Sequence, residues 1–214
     1  MLECSGENIR NETIGHYCDA LGSKLPTPGG GGASAVAGAF GCSLGLMVIS
    51  FTLGKKRYAD VEEDLKNDQK QLLLLREDFY RLAEEDEKVF APLARTYKLP
   101  ENTEEEKAIK AEAMEKALYE AAEVPLETMK KALEALKIVE DVAEKGSRMA
   151  ISDAGVAGDY LTAALKGSSL NVLINARSMQ DRERREAYIG KCGNYLDEGA
   201  PVQSRIASKV LKRI

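Results

Sequence analysis

The chain has 214 residues, 44% of them hydrophobic and 30% charged, with no tryptophan and a formal net charge of −5. That length predicts a single domain over residues 1–214 with a core that needs no staples, and this much apolar material excludes a disordered chain. The mildly acidic balance leaves no electrostatic footprint for nucleic acid, and a lone histidine, His16, excludes metal centres built on two or more histidines.

Met1 to Asn11 is polar and mixed in charge, with no cleavable signal pattern. Cys4, Cys18, Cys42 and Cys192 form no Cys-x-x-Cys pair, so they read as reduced thiols in a cytoplasmic protein. A first amphipathic helix is expected from Glu7 to Leu21 and carries His16 on its surface. A turn follows through Pro26-Thr27-Pro28 into Gly29-Gly30-Gly31-Gly32. From Ala33 to Leu53 no residue is charged, which is long enough to span a bilayer. About half of that stretch is Ala, Gly or Ser, and no second span exists, so a buried central helix is the better reading. A long amphipathic helix is predicted over Tyr58–Lys98, kinked or ended by Pro92. A charged helix over Thr103–Glu123 starts at Asn102-Thr103. Pro125 fits the first turn of the next helix, which runs to Lys145 and is capped by Gly146. A helix over Ser152–Lys166 is expected to stop at Gly167. Another then carries Asn171 and Asn175 into the charged run Asp181–Arg185, and a last one covers Lys191–Lys212. With no alternating strand pattern, the class is all-α, an antiparallel helical bundle around a buried small-residue helix.

Five constellations carry polar groups suited to chemistry. Amides at the glycine-headed helix start face an anion or an oxyanion, or else form only a closely packed turn. Lys55, Lys56 and Arg57 either offset a helix dipole or bind an anion. Ser152-Asp153 opens an apolar helix, as a cap or as a buried carboxylate. Asn171 and Asn175 share one helix face among apolar neighbours, so they bond other helices or read a polar ligand. Asp86 lies in the acidic run Glu84–Glu87, which by itself reads as a solvated face.

In this order, Pro26-Thr27-Pro28-Gly29-Gly30-Gly31, the small-residue helix, Gly54-Lys55-Lys56, Glu85-Asp86 with Phe90, Ser152-Asp153-Ala154-Gly155-Val156-Ala157 and Asn171-Val172-Leu173-Ile174-Asn175 resemble the formiminotetrahydrofolate cyclodeaminase and methenyltetrahydrofolate cyclohydrolase family. The likeness covers about residues 10 to 200. It departs at Gly32, where the family usually has serine. The resemblance implies an all-helical homodimer with a tetrahydrofolate ligand in a cleft, no metal or redox cofactor, and no membrane. Either reaction of the family passes through a tetrahedral carbon between two nitrogens and needs a carboxylate to move protons. Asp153 is the first expectation for that carboxylate and Asp86 the second. Asn171 and Asn175 would bond the pterin or orient water. Pro28, Gly29, Gly30, Gly31, Gly32 and Ser152 would shape the pocket, and Lys55 and Lys56 would hold the glutamate tail. Cyclohydrolase is favoured slightly over cyclodeaminase, because no formiminotransferase domain accompanies the sequence. The alternative of another class is a non-catalytic helical interaction protein.

Overall fold

In the computed structural model, which describes residues 9–214, all the regular structure among the described residues is helical. In chain order the α-helices are α1 (Ile14–Leu21), α2 (Gly30–Ser50), α3 (Glu62–Thr96), α4 (Glu104–Lys145), α5 (Ile151–Ser178) and α6 (Arg182–Leu211), with short 3₁₀ turns at Lys56–Val61 and Arg148–Ala150. Short connections make successive long helices antiparallel neighbours. The expected helix start at Glu7 lies outside the described residues. Within them, Thr13 caps α1 by accepting the His16 amide, and the His16 ring pairs with Glu12 at 2.7 Å.

The uncharged helix α2 is the centre of the bundle. It packs on α3, α4 and α5, and residues such as Ala35, Cys42, Val48 and Ile49 are wholly buried. Small residues let its neighbours come this close: a Cβ at Gly38 or Gly41 would overlap the Phe79 ring or the Leu161 side chain. By length and composition α2 is the one helix among the described residues apolar enough to cross a membrane. A core helix passes the same test because it meets protein, not water, on several sides.

Three expected boundaries are corrected. Pro125 opens no helix: α4 runs 42 residues straight through it. The start of α4 is as expected, with Thr103 and Glu106 exchanging side-chain bonds in a capping box. Gly167 ends no helix either. It lies mid-way along α5, where a Cβ would stand 2.4 Å from the Ser34 hydroxyl, so its glycine serves the α2–α5 contact. The true break comes later, at Met179–Asp181. There Asp181 accepts the Arg184 amide and Glu115 of α4 takes the Gln180 and Asp181 amides, so the charged run Asp181–Arg185 opens α6 instead of extending α5.

Candidate functional site

The glycine run enters helix geometry inside itself, so α2 starts at Gly30, before the expected Ala33. Its N-cap, Gly29, has no side chain to satisfy the first amides. Asp86 of α3 does this from across the bundle: its Oδ2 accepts the Gly32 amide at 2.8 Å. The approach depends on position 31. A Cβ on Gly31 would stand 2.1 Å from Asp86 Oδ1, inside the carboxylate, so a side chain there would push it away. Burial raises the Asp86 carboxyl above the usual carboxylate range, and the Gly32 amide opposes this in part.

Around Asp86 opens a cleft of about 270 Å³. Its floor is Gly29, Gly30 and Gly31, and its polar wall is Asn171 and Asn175 on α5. Its apolar wall comes from Val89, Phe90 and Leu93 of α3, with Tyr97 just beyond. The two amide side chains are each anchored by one bond. Asn171 Nδ2 donates to the Gly167 carbonyl of its own helix at 3.1 Å. Asn175 Nδ2 donates at 2.9 Å to the Ala121 carbonyl of α4. Ala121 is the residue four before Pro125, and proline has no N–H to return to it. Asn175 therefore fills the gap that Pro125 leaves in the helix ladder, and this is one reason α4 continues through the proline. With the Nδ2 groups so held, each asparagine can turn its Oδ1 and remaining N–H to a ligand.

The cleft thus unites Asp86, Gly29, Gly30, Gly31, Asn171 and Asn175. Pro28 is buried just before it, and Gly32 lies behind Asp86, its amide already used. The other expected residues lie elsewhere. Asp153 precedes Asn171 by eighteen residues on the same helix, a separation of about 27 Å at the α-helical rise. It occupies the first turn of α5, where a carboxylate complements the helix dipole. Ser152 beside it is exposed. Lys55 and Lys56 follow the far end of α2, roughly 30 Å from the glycines by the same rise. There Lys55 Nζ lies 4.0 Å from Met149 Sδ and both lysines are exposed. Within one protomer Asp153, Ser152, Lys55 and Lys56 are therefore not part of this cleft, and Asp86 is the carboxylate that the fold brings to the glycines and asparagines.

Sequence reasoning missed Ala121 with Pro125 and the wall of Val89, Leu93 and Tyr97. A signal for Asp86 was available: it falls on the phase of Leu72, Leu75, Phe79 and Leu82, all buried, so it interrupts an apolar stripe.

The formiminotransferase-cyclodeaminase family model matches residues 13–193 of this chain. A methenyltetrahydrofolate cyclohydrolase from Methylorubrum extorquens is 40% identical over 95% of this chain and 98% of its own length. A formimidoyltransferase-cyclodeaminase from Gallus gallus is 28% identical over 97% of this chain, which spans 38% of that longer protein. Among solved structures, formiminotetrahydrofolate cyclodeaminase from Thermotoga maritima superimposes with a TM-score of 0.85 at 27% identity, covering 95% of this chain and 98% of that one.

Proposed function

Because the chain belongs to the formiminotransferase-cyclodeaminase family, we propose that it hydrolyses 5,10-methenyltetrahydrofolate to 10-formyltetrahydrofolate, with Asp86 as the proton-handling carboxylate. The observation that carries this reading is Asp86 itself: a partly buried acid at a helix N-terminus, opening into a cleft with two anchored amides and an aromatic wall. Methenyltetrahydrofolate is a cation whose charge is shared between N5 and N10 through the bridging carbon. An ionised Asp86 beside that carbon favours binding of the cation and takes a proton from the attacking water. The tetrahedral carbon then loses N5, to which Asp86 returns the proton, while its hydroxyl gives up the second proton to solvent and the formyl group stays on N10. A carboxyl raised by burial is a better base, closer to neutral pH, than a solvated one. The Oδ1 atoms of Asn171 and Asn175 suit the N–H edge of a pterin, and Phe90 and Tyr97 offer faces for a flat ring. The cleft is near the lower limit of small-molecule sites, about 300 Å³, so the tail of a folate would extend past it.

Hydrolysis is preferred over deamination because the cyclohydrolase relative matches at 40% identity over nearly its whole length, against 28% for the chicken enzyme. The Thermotoga likeness favours the second reading, in which N10 attacks the formimino carbon and ammonia leaves. No metal or redox cofactor enters either scheme. An apolar stripe of Phe40, Met47 and Phe51 left exposed along α2 supports a homodimer, and the free thiols of Cys18, Cys42 and Cys192 suit a cytoplasmic location. One assay tests the scheme: each folate is supplied separately and the methenyl absorbance is followed. Loss of the methenyl signal, slowed about 10²–10⁴-fold in Asp86→Asn, is the expected result. Normal turnover by a folded Asp86→Asn protein rejects Asp86, and turnover of the formimino compound alone selects the second reading.

A further inference from the structure

Behind Asp86, on the side away from the cleft, the side-chain-free Gly32 faces three oxygens from two helices, α1 and α3. From the point where a Cβ on Gly32 would stand, the Tyr17 hydroxyl is 3.4 Å away, the Ala83 carbonyl 3.5 Å and Asp86 Oδ2 3.7 Å. Nothing apolar is nearer. Tyr17 is 8% exposed, and its hydroxyl is one of the few buried side-chain oxygens among the described residues with no hydrogen-bond partner. A buried hydroxyl in that state is costly, and one donor and two acceptors gathered over a residue without a side chain are the partners that a buried water requires. Tyr17 lines the apolar groove under α1, while Asp86 lines the cleft, so Gly32 is the thin partition between them.

We propose that Gly32 carries a buried water site through which the Tyr17 hydroxyl acts as a positioning residue for Asp86. Tyr17 donates to the water, and the water donates to Asp86 Oδ2 and to the Ala83 carbonyl. The carboxylate then receives a second bond beside the one from the Gly32 amide, which fixes its rotamer and favours its charged form. The titratable groups acting on Tyr17 are Glu87, Asp86, Glu12 and Cys18, and Glu84 and Lys88 act in turn on Glu87. α2 and α5 bring only uncharged residues to the cleft: Gly30 and Gly31, and Asn171, Ile174, Asn175 and Ser178. A serine at position 32 would fit: its Cβ meets all three oxygens at ordinary contact distances, and its hydroxyl would stand in for the water.

The test compares the unmodified protein with Tyr17→Phe and with Tyr17→Phe/Gly32→Ser. Asp86 is titrated by carboxyl carbon NMR on protein labelled at aspartate, and turnover of methenyltetrahydrofolate is measured beside it. Tyr17→Phe is expected to move the Asp86 titration upward by half a pH unit or more, and to lower kcat about tenfold while KM stays within twofold. The double variant restores most of both. An unchanged Asp86 titration in Tyr17→Phe overturns the proposal. So does a double variant that melts like the unmodified protein yet restores nothing. If Tyr17→Phe does not fold, a crystal structure of the unmodified protein decides, since a dry contact over Gly32 is fatal. The kinetic arm rests on Asp86 being the base, but the titration does not. An unmodified protein that turns over neither folate sinks the proposed function and leaves the titration to decide the water site.

Discussion

Replacing Asn175 by leucine keeps the branched side-chain shape but removes the amide that donates to the Ala121 carbonyl at 2.9 Å. That carbonyl has no backbone donor four residues on, because position 125 is proline. Leaving a buried acceptor unsatisfied costs about 1–3 kcal/mol. Ala121 borders the cleft, so water can reach its carbonyl in part and the lower half of that range applies. The expected loss is therefore about 1–2 kcal/mol, or roughly 2–8 °C in Tm for a protein of this size. With Pro125→Ala the ladder regains an amide that can bond Ala121, and the same Asn175→Leu change should then cost less than about 0.5 kcal/mol. Urea unfolding of the four proteins, with the slope m held constant, measures the coupling between the two sites. Equal costs for Asn175→Leu in both backgrounds would refute the idea that Asn175 serves the proline gap.

Gly31→Ala should expel the Asp86 carboxylate from its place, since the new Cβ stands 2.1 Å from Oδ1, and lower kcat at least about tenfold. Unaltered turnover in a steady-state assay would show that the carboxylate tolerates the shift. Asp153→Asn, about 27 Å along α5 from the cleft, should leave kcat within roughly twofold. A tenfold drop would mean that a second subunit carries this end of the bundle to the cleft. Asp68 lies away from the site, buried against Asp141, and its carboxyl is raised to about 6, first by burial and then by the Asp141 charge. The folded protein thus holds this proton more tightly than the unfolded chain does. The stabilisation from the neutral acid is full below the unfolded value near 4 and is lost as pH rises through 6. Asp68→Asn should therefore be more stable than the unmodified protein at pH 8, by up to about 3 kcal/mol, with little difference at pH 4, as read from thermal melts. A variant that is less stable at pH 8 would reverse the argument.

The class of fold was legible in the chain because helix formation is mostly local. Apolar residues at helical spacing, the Thr103–Glu106 capping box and the uncharged stretch after the glycines each specify a helix from neighbours in sequence. The resemblance likewise named a set of motifs in the right order. Which motifs meet is a different kind of fact. Pro125 and Gly167 read as breaks because their local preferences oppose helix, yet Asn175 satisfies the one and the close approach of Ser34 explains the other. Asp153 read as the better carboxylate because it opens an apolar helix, but a rigid helix places it a fixed distance from Asn171 and so takes it out of the cleft. Asp86 was hidden in an acidic run that by itself reads as a solvated face. Only the packing of α3 across the start of α2 brings it to the Gly32 amide, 54 residues away in sequence. Helix periodicity is written into nearest neighbours, whereas the site depends on contacts between distant segments that exist only once those helices have packed.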